Sequence, residues 1–104
     1  MSKRLALFDK LLADGSVDPF HHYARAMELR SLGRRELALT AFSDTCGQFP
    51  DYVPSYLMAA QLAQELAQPA LARTHASAGV EAARRAGNEH ALSELTALLD
   101  GLPA

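Results

Sequence analysis

The chain has no tryptophan, a single cysteine and an aromatic content of only 7%. One thiol, Cys46, makes no intrachain disulfide and no multi-cysteine zinc site. An excess of one charge is also missing. Ten Lys and Arg stand against 12 Asp and Glu, for a formal net charge of -2. That excludes a strongly basic nucleic-acid binder and a polyacidic tail. No run approaches the roughly 18 uncharged apolar residues that a membrane-crossing helix needs. Residues 1–10 are basic and partly apolar, but Asp9 and Lys10 interrupt them before the apolar core of a secretory signal forms. Cytoplasm is therefore the expected location. Alternation of apolar and polar residues is absent and β-branched residues are few, so no strand is expected.

What the chain does have is alanine and leucine. It carries 20 Ala and 17 Leu in 104 residues, and 49% of it is hydrophobic. Both residues are strong helix formers, and the length suits one small domain or a short repeat array. The expected fold class is all-α. Breakers divide the chain at Asp14-Gly15-Ser16, Gly33-Arg34, Gln48-Phe49-Pro50-Asp51, Gln68-Pro69 and Gly87-Asn88. Six helices fit between them, at about 3–13, 19–32, 35–46, 53–66, 69–86 and 89–100. Leu5, Phe8, Leu11 and Leu12 share one face of the first. Asp18 and Pro19 suit the cap and first position of the second. Leu37, Ala38, Ala41, Phe42 and Thr45 line one side of the third, which Gly47 and Pro50 are expected to end. Asp51 is placed to cap the fourth and Asn88 to cap the sixth. Short connections imply antiparallel neighbours, stacked as an α-α superhelix.

An internal repeat appears at an offset of 34 residues. Tyr23 falls on Leu57, Ala26 on Ala60, Leu32 on Leu66, Leu37 on Leu71 and Ala38 on Ala72. A helix–turn–helix unit of this period resembles the tetratricopeptide repeat family. Residues 19–52 carry the resemblance best: small Ala26, large Leu29, turn Gly33, then Leu37-Ala38, Phe42 and closing Pro50. His22 and Arg25 depart from that pattern. In residues 53–86, Ala67 replaces the turn glycine, Ala76 the second-helix aromatic and Arg84 the closing proline. The resemblance divides the chain into an N-terminal helix (1–15), two repeats (19–52 and 53–86) and a C-terminal capping helix (88–101). The end helices cover the apolar faces that stacked pairs leave open.

In that family the first helix of each repeat lines a concave groove for a peptide or helix. The resemblance places Phe20, Tyr23, Met27 and Arg30 there from the first repeat, and Leu57, Met58, Gln61 and Gln64 from the second. It implies a non-catalytic protein–protein interaction module, an adaptor or assembly scaffold, with a protein or peptide partner and neither nucleic acid nor membrane. Tyr23 and Met27 occupy places where carboxylate-gripping members carry Lys and Asn, which argues against that mode. Two other readings compete. One is a homodimer through the same apolar surface. The other is a small metal protein or enzyme using His75, His90 or Cys46. His21 and His22, as helical neighbours, do not share a metal face. No Ser-His-Asp order, carboxylate pair or phosphate-cradling loop stands out, and no cofactor is expected.

Overall fold

A computed structural model describes residues 2–103. Among them six helices follow one another and no strand occurs: α1 (Lys3–Ala13), α2 (Pro19–Ser31), α3 (Arg35–Gln48), α4 (Pro54–Glu65), α5 (Pro69–Ala86) and α6 (Glu89–Asp100). Side-chain caps start three of them. Ser2 accepts from the Leu5 amide, Asp18 from Phe20 and Asn88 from Ala91. Each satisfies an amide that the first helical turn leaves without a partner.

Two expectations at the α3–α4 junction are corrected. Asp51 does not cap α4. Val53 stands at the cap in helical conformation with no side-chain cap bond, and the Asp51 carboxylate lies 3.3 Å from Arg85 on α5. Gly47 does not end α3, which continues through it to Gln48.

The turns inside the helix pairs share one chemistry. Gly33 has φ +77°, and the Arg34 amide behind it donates to the Leu29 carbonyl. Ala67, 34 residues later, takes the same left-handed conformation at φ +57°, and Gln68 donates to Ala63. Both are the left-handed closure of a helix C-terminus. The alanine does the work of a glycine at a cost of about 1 kcal/mol.

Each helix packs against its sequence neighbour, and α4 also touches α6. The array measures 39 × 29 × 19 Å. Fully buried alanines (Ala26 and Ala38; Ala59, Ala60, Ala63 and Ala72; Ala76 and Ala83) let paired helices approach closely, and Phe42, Leu62 and Leu95 fill the wider gaps. Leu37 is not part of the α3 stripe. It is 57% exposed, while Leu39 and Cys46 are buried beside Phe42. A small residue that sequence inspection passed over, Gly79 on α5, sits where α4 and α6 converge. A Cβ there would lie 2.6 Å from Tyr56 Cβ and 2.9 Å from Leu95 Cδ2.

Helix α1 is held on α2 by polar bonds. Asp9 meets the Arg25 guanidinium at 2.6 Å, and the Ser2 hydroxyl donates to Glu28 at 3.0 Å. The two departures from the repeat pattern, His22 and Arg25, line a cavity together with Leu12 of α1 and Ala41, Asp44, Thr45 and Gln48 of α3. Arg25 grips α1, and His22 packs its ring 4.9 Å from Phe49. At the other end Leu102 tucks in behind α6, and Arg73 of α5 donates to the Pro103 carbonyl.

Candidate binding groove

The exposed side of α2 and the adjacent side of α1 enclose an open groove of about 430 Å³. Phe20, Tyr23, Ala24, Met27, Glu28 and Ser31 line it from α2, and Arg4 and Phe8 from α1. The spacing is helical: Phe20, Tyr23, Ala24, Met27, Glu28 and Ser31 recur at intervals of three and four along α2, so they share one face. Phe20 is 53% exposed. Tyr23 is half-buried, with its ring edge-on to Phe42 at 5.8 Å and to Tyr52 at 5.7 Å. Burial pushes the Tyr23 hydroxyl above its ordinary pKa, with the Arg30 cation working against the shift. At the rim, Glu28 takes the Ser2 hydroxyl, and Arg4 approaches it only to 3.9 Å.

The eight residues expected on one surface divide between two places. Phe20, Tyr23 and Met27 line the groove. Arg30 instead spans from α2 to α4, its guanidinium 3.9 Å from Met58 Sδ and 3.4 Å from Glu65. Leu57 and Met58 are half-buried against the core, Gln61 is half-buried and Gln64 is exposed, all on α4. Tyr23, Met27, Leu57 and Met58 therefore serve as core and as surface together. Sequence reasoning missed the wall supplied by α1. Phe8 was visible as part of an apolar face of α1, but the pattern could not show that α2 covers only one flank of that face.

The remaining reactive side chains are engaged structurally. The Cys46 thiol is buried, which pushes its pKa up to about 12 and leaves it un-ionised. His75 is buried with Nε2 2.9 Å from the Ser43 hydroxyl. Around the start of α2 a serine, a histidine and a carboxylate do meet, which sequence order had not suggested. Ser16 Oγ is 2.7 Å from His21 Nδ1, and His21 Nε2 is 3.7 Å from Asp18. The neighbouring amides are already spent: Phe20 donates to the Asp18 side chain, His21 to the Asp18 carbonyl and Asp18 to Ser16 Oγ. The cluster works as a helix cap. Among the described residues no group of three metal-binding side chains comes together, and no helix is long and apolar enough to cross a membrane.

Burial holds the His75 pKa below 6.5 in the folded chain. Below pH 6.5 the unfolded chain takes up a proton that the folded chain refuses, so stability contributed by His75 is present above that pH and lost as pH falls. The stability gap between wild type and His75→Gln is expected to narrow on acidification, by at most about 1.4 kcal/mol per pH unit. Urea melts of both proteins at pH 7.5 and 5.5 check this, and a constant gap counts against it.

Solved structures of known proteins share this architecture. A tetratricopeptide repeat domain protein from Salinibacter ruber, determined in solution, is 32% identical with a TM-score of 0.75, over 80% of this chain and 84% of that one. A crystal structure of a tetratricopeptide repeat domain protein from the same organism is 33% identical, also at 0.75, over 79% of this chain and 92% of that one. A Bordetella parapertussis protein determined in solution is 19% identical and superposes with a TM-score of 0.76 over 96% of this chain and 87% of that one, a likeness of fold alone. No family model and no curated protein matches the chain.

Proposed function

The chain belongs to the tetratricopeptide repeat family, and on that premise we propose that it is a non-catalytic interaction module, an adaptor or assembly scaffold in the cytoplasm, holding a peptide or helix of another protein in its groove. The observation that carries this reading is the exposure of Phe20 (53%) beside half-buried Phe8, Tyr23 and Met27. Four large apolar side chains on one open concavity suit an apolar partner segment better than they suit water. The same reading divides the chain into repeats at 19–52 and 53–86, flanked by helices at 1–15 and 88–101. The left-handed turn at both Gly33 and Ala67 supports that division. Arg30, Gln61 and Gln64 would meet only a partner long enough to continue from α2 across to α4.

Phe20→Glu tests the proposal. The side chain is solvent-facing, so the variant keeps the fold, verified by circular dichroism. A partner captured from cytoplasmic extract by the wild type is expected to lose about 2 kcal/mol or more of binding when this anchor goes, roughly a thirtyfold drop in affinity. Undiminished capture by the folded variant moves the site elsewhere. If the species retained is the chain itself, and sedimentation depends on concentration, the surface is a homodimer interface.

A further inference from the structure

The 34-residue offset that relates α2 and α3 to α4 and α5 reaches further than those four helices. Counted back from α3, it carries Phe42 onto Phe8, and counted forward from α4 it carries Gln61 onto Leu95. Helix α1 thus stands in the register of a second helix and α6 in that of a first. Helix α3 lies between α2 and α4, and α5 between α4 and α6, whereas among the described helices α1 packs extensively on α2 alone. The consequence shows in matched residues. Phe42 is fully buried, with Tyr23 of α2 against its ring at 5.8 Å, while Phe8 is only half-buried on the wall of the open groove. On the opposite wall, Ala24 and Ser31 fall 34 residues before Met58 and Glu65. Those two residues of α4 receive Arg30 from α2. The groove between α1 and α2 therefore has the same address as the cleft between α3 and α4, and α2 fills that cleft.

We infer that the groove is a vacant helix seat, which takes an amphipathic α-helix of a partner protein lying antiparallel to α1, with a carboxylate directed at Arg4. This rests on the interaction reading above and narrows its occupant from a peptide or helix to a helix. The carboxylate follows from the one place where the vacant seat differs from the filled ones. At Ala38 and Ala72 the second helices carry a fully buried alanine; α1 carries Arg4 at that position. Its side chain is 82% exposed, and its ion pair with Glu28 is long at 3.9 Å, while Ser2 holds the other oxygen of that carboxylate at 3.0 Å. An entering helix that covers Phe8 and Met27 removes water from Arg4. A carboxylate on that helix would strengthen the long Arg4–Glu28 pair as water leaves, since a buried cation with a distant counter-ion is costly.

The test uses the full chain and a defined probe. A synthetic peptide copies residues 18–35, the α2 helix with its closing turn, in two versions, Ala26→Glu and Ala26→Lys. Each is titrated to about 2 mM into isotope-labelled protein and followed by amide chemical shifts, with peptide helicity read by circular dichroism. The expected result is saturable shifts at Leu7, Phe8, Ala24 and Met27, helicity gained on binding, and a severalfold preference for the Glu peptide. Arg4→Glu leaves the fold intact, because the side chain is exposed, and is expected to reverse the order of the two peptides. Shifts confined to Leu57, Gln61 and Gln64 on α4 overturn the seat while leaving the broader groove reading in place. Equal affinity for both peptides overturns the carboxylate, and no shift at α1 with either peptide overturns the seat altogether. The Phe20→Glu capture experiment decides the broader reading independently.

Discussion

Replacing Phe42 by alanine is expected to lower the free energy of unfolding by about 3–5 kcal/mol, measured as a shift of the urea midpoint at unchanged slope. Phe42 is the largest fully buried side chain, and α2 lies across it. Its loss removes apolar area from the core and leaves a void that rigid helices collapse into only partly. A domain of this size holds about 5–15 kcal/mol in total, so the variant stands close to unfolding at body temperature. It also loses the surface against which the Tyr23 ring leans. The groove wall and the core are thus one structure here, and a binding defect in this variant is not evidence of contact with a partner. A cost below about 1 kcal/mol would show that the α2–α3 interface closes over the void.

The same substitution, glycine to alanine, is expected to act with opposite sign at two positions. At Gly79 the new methyl meets Tyr56 Cβ at 2.6 Å and Leu95 Cδ2 at 2.9 Å. Tyr56 Cβ is fixed to the α4 backbone, and its hydroxyl is tied to the Pro50 carbonyl at 2.7 Å. The contact is relieved only by moving α4 away from α5. Overpacking of this kind costs about 1–3 kcal/mol against a gain of about 1 kcal/mol from helix propensity, for a net loss of up to about 2 kcal/mol. At Gly47, inside α3, a Cβ meets nothing within 4 Å. There only the propensity term remains, and the variant is expected to gain about 0.5–1 kcal/mol. Thermal melts of the two variants beside wild type check both signs. Equal effects would mean that the α4–α5–α6 junction is looser than its distances indicate.

The limits of each helix were largely legible because the chain marks them with residues of fixed conformational habit. Asp18-Pro19, Gln68-Pro69 and Asn88 open helices where the structure has them open. The 34-residue offset was legible for a related reason, since a close approach such as that of Ala26 and Ala38 admits few side chains. Asp51 misled because capping depends on the path of the chain as well as on residue type, and Val53 enters α4 already helical. Gly47 misled because an exposed position on a helix tolerates a glycine at modest cost. Leu37 and Phe8 show a common limit. Helical spacing defines an apolar stripe but not which flank a neighbour will cover. For Leu37 the covered flank excluded it, and for Phe8 the cover stopped short. The part of the groove supplied by α1 was hidden for that reason, and so was Gly79, whose role exists only once two other helices converge on it.

The lone cysteine offers a further use of the fold. Cys46 is 6% exposed on α3, close to Phe42 in the core, and burial keeps its thiol protonated. A thiol reagent in solution reaches it only when the surrounding helices part, and the freed side chain then ionises as an ordinary cysteine does. With no other sulfhydryl in the chain, the labelling rate becomes a clock for the opening of the central helix pair under native conditions. Read with and without a helix in the groove, that clock registers whether occupancy at the surface tightens the interior beneath it, with no mutation and no denaturant.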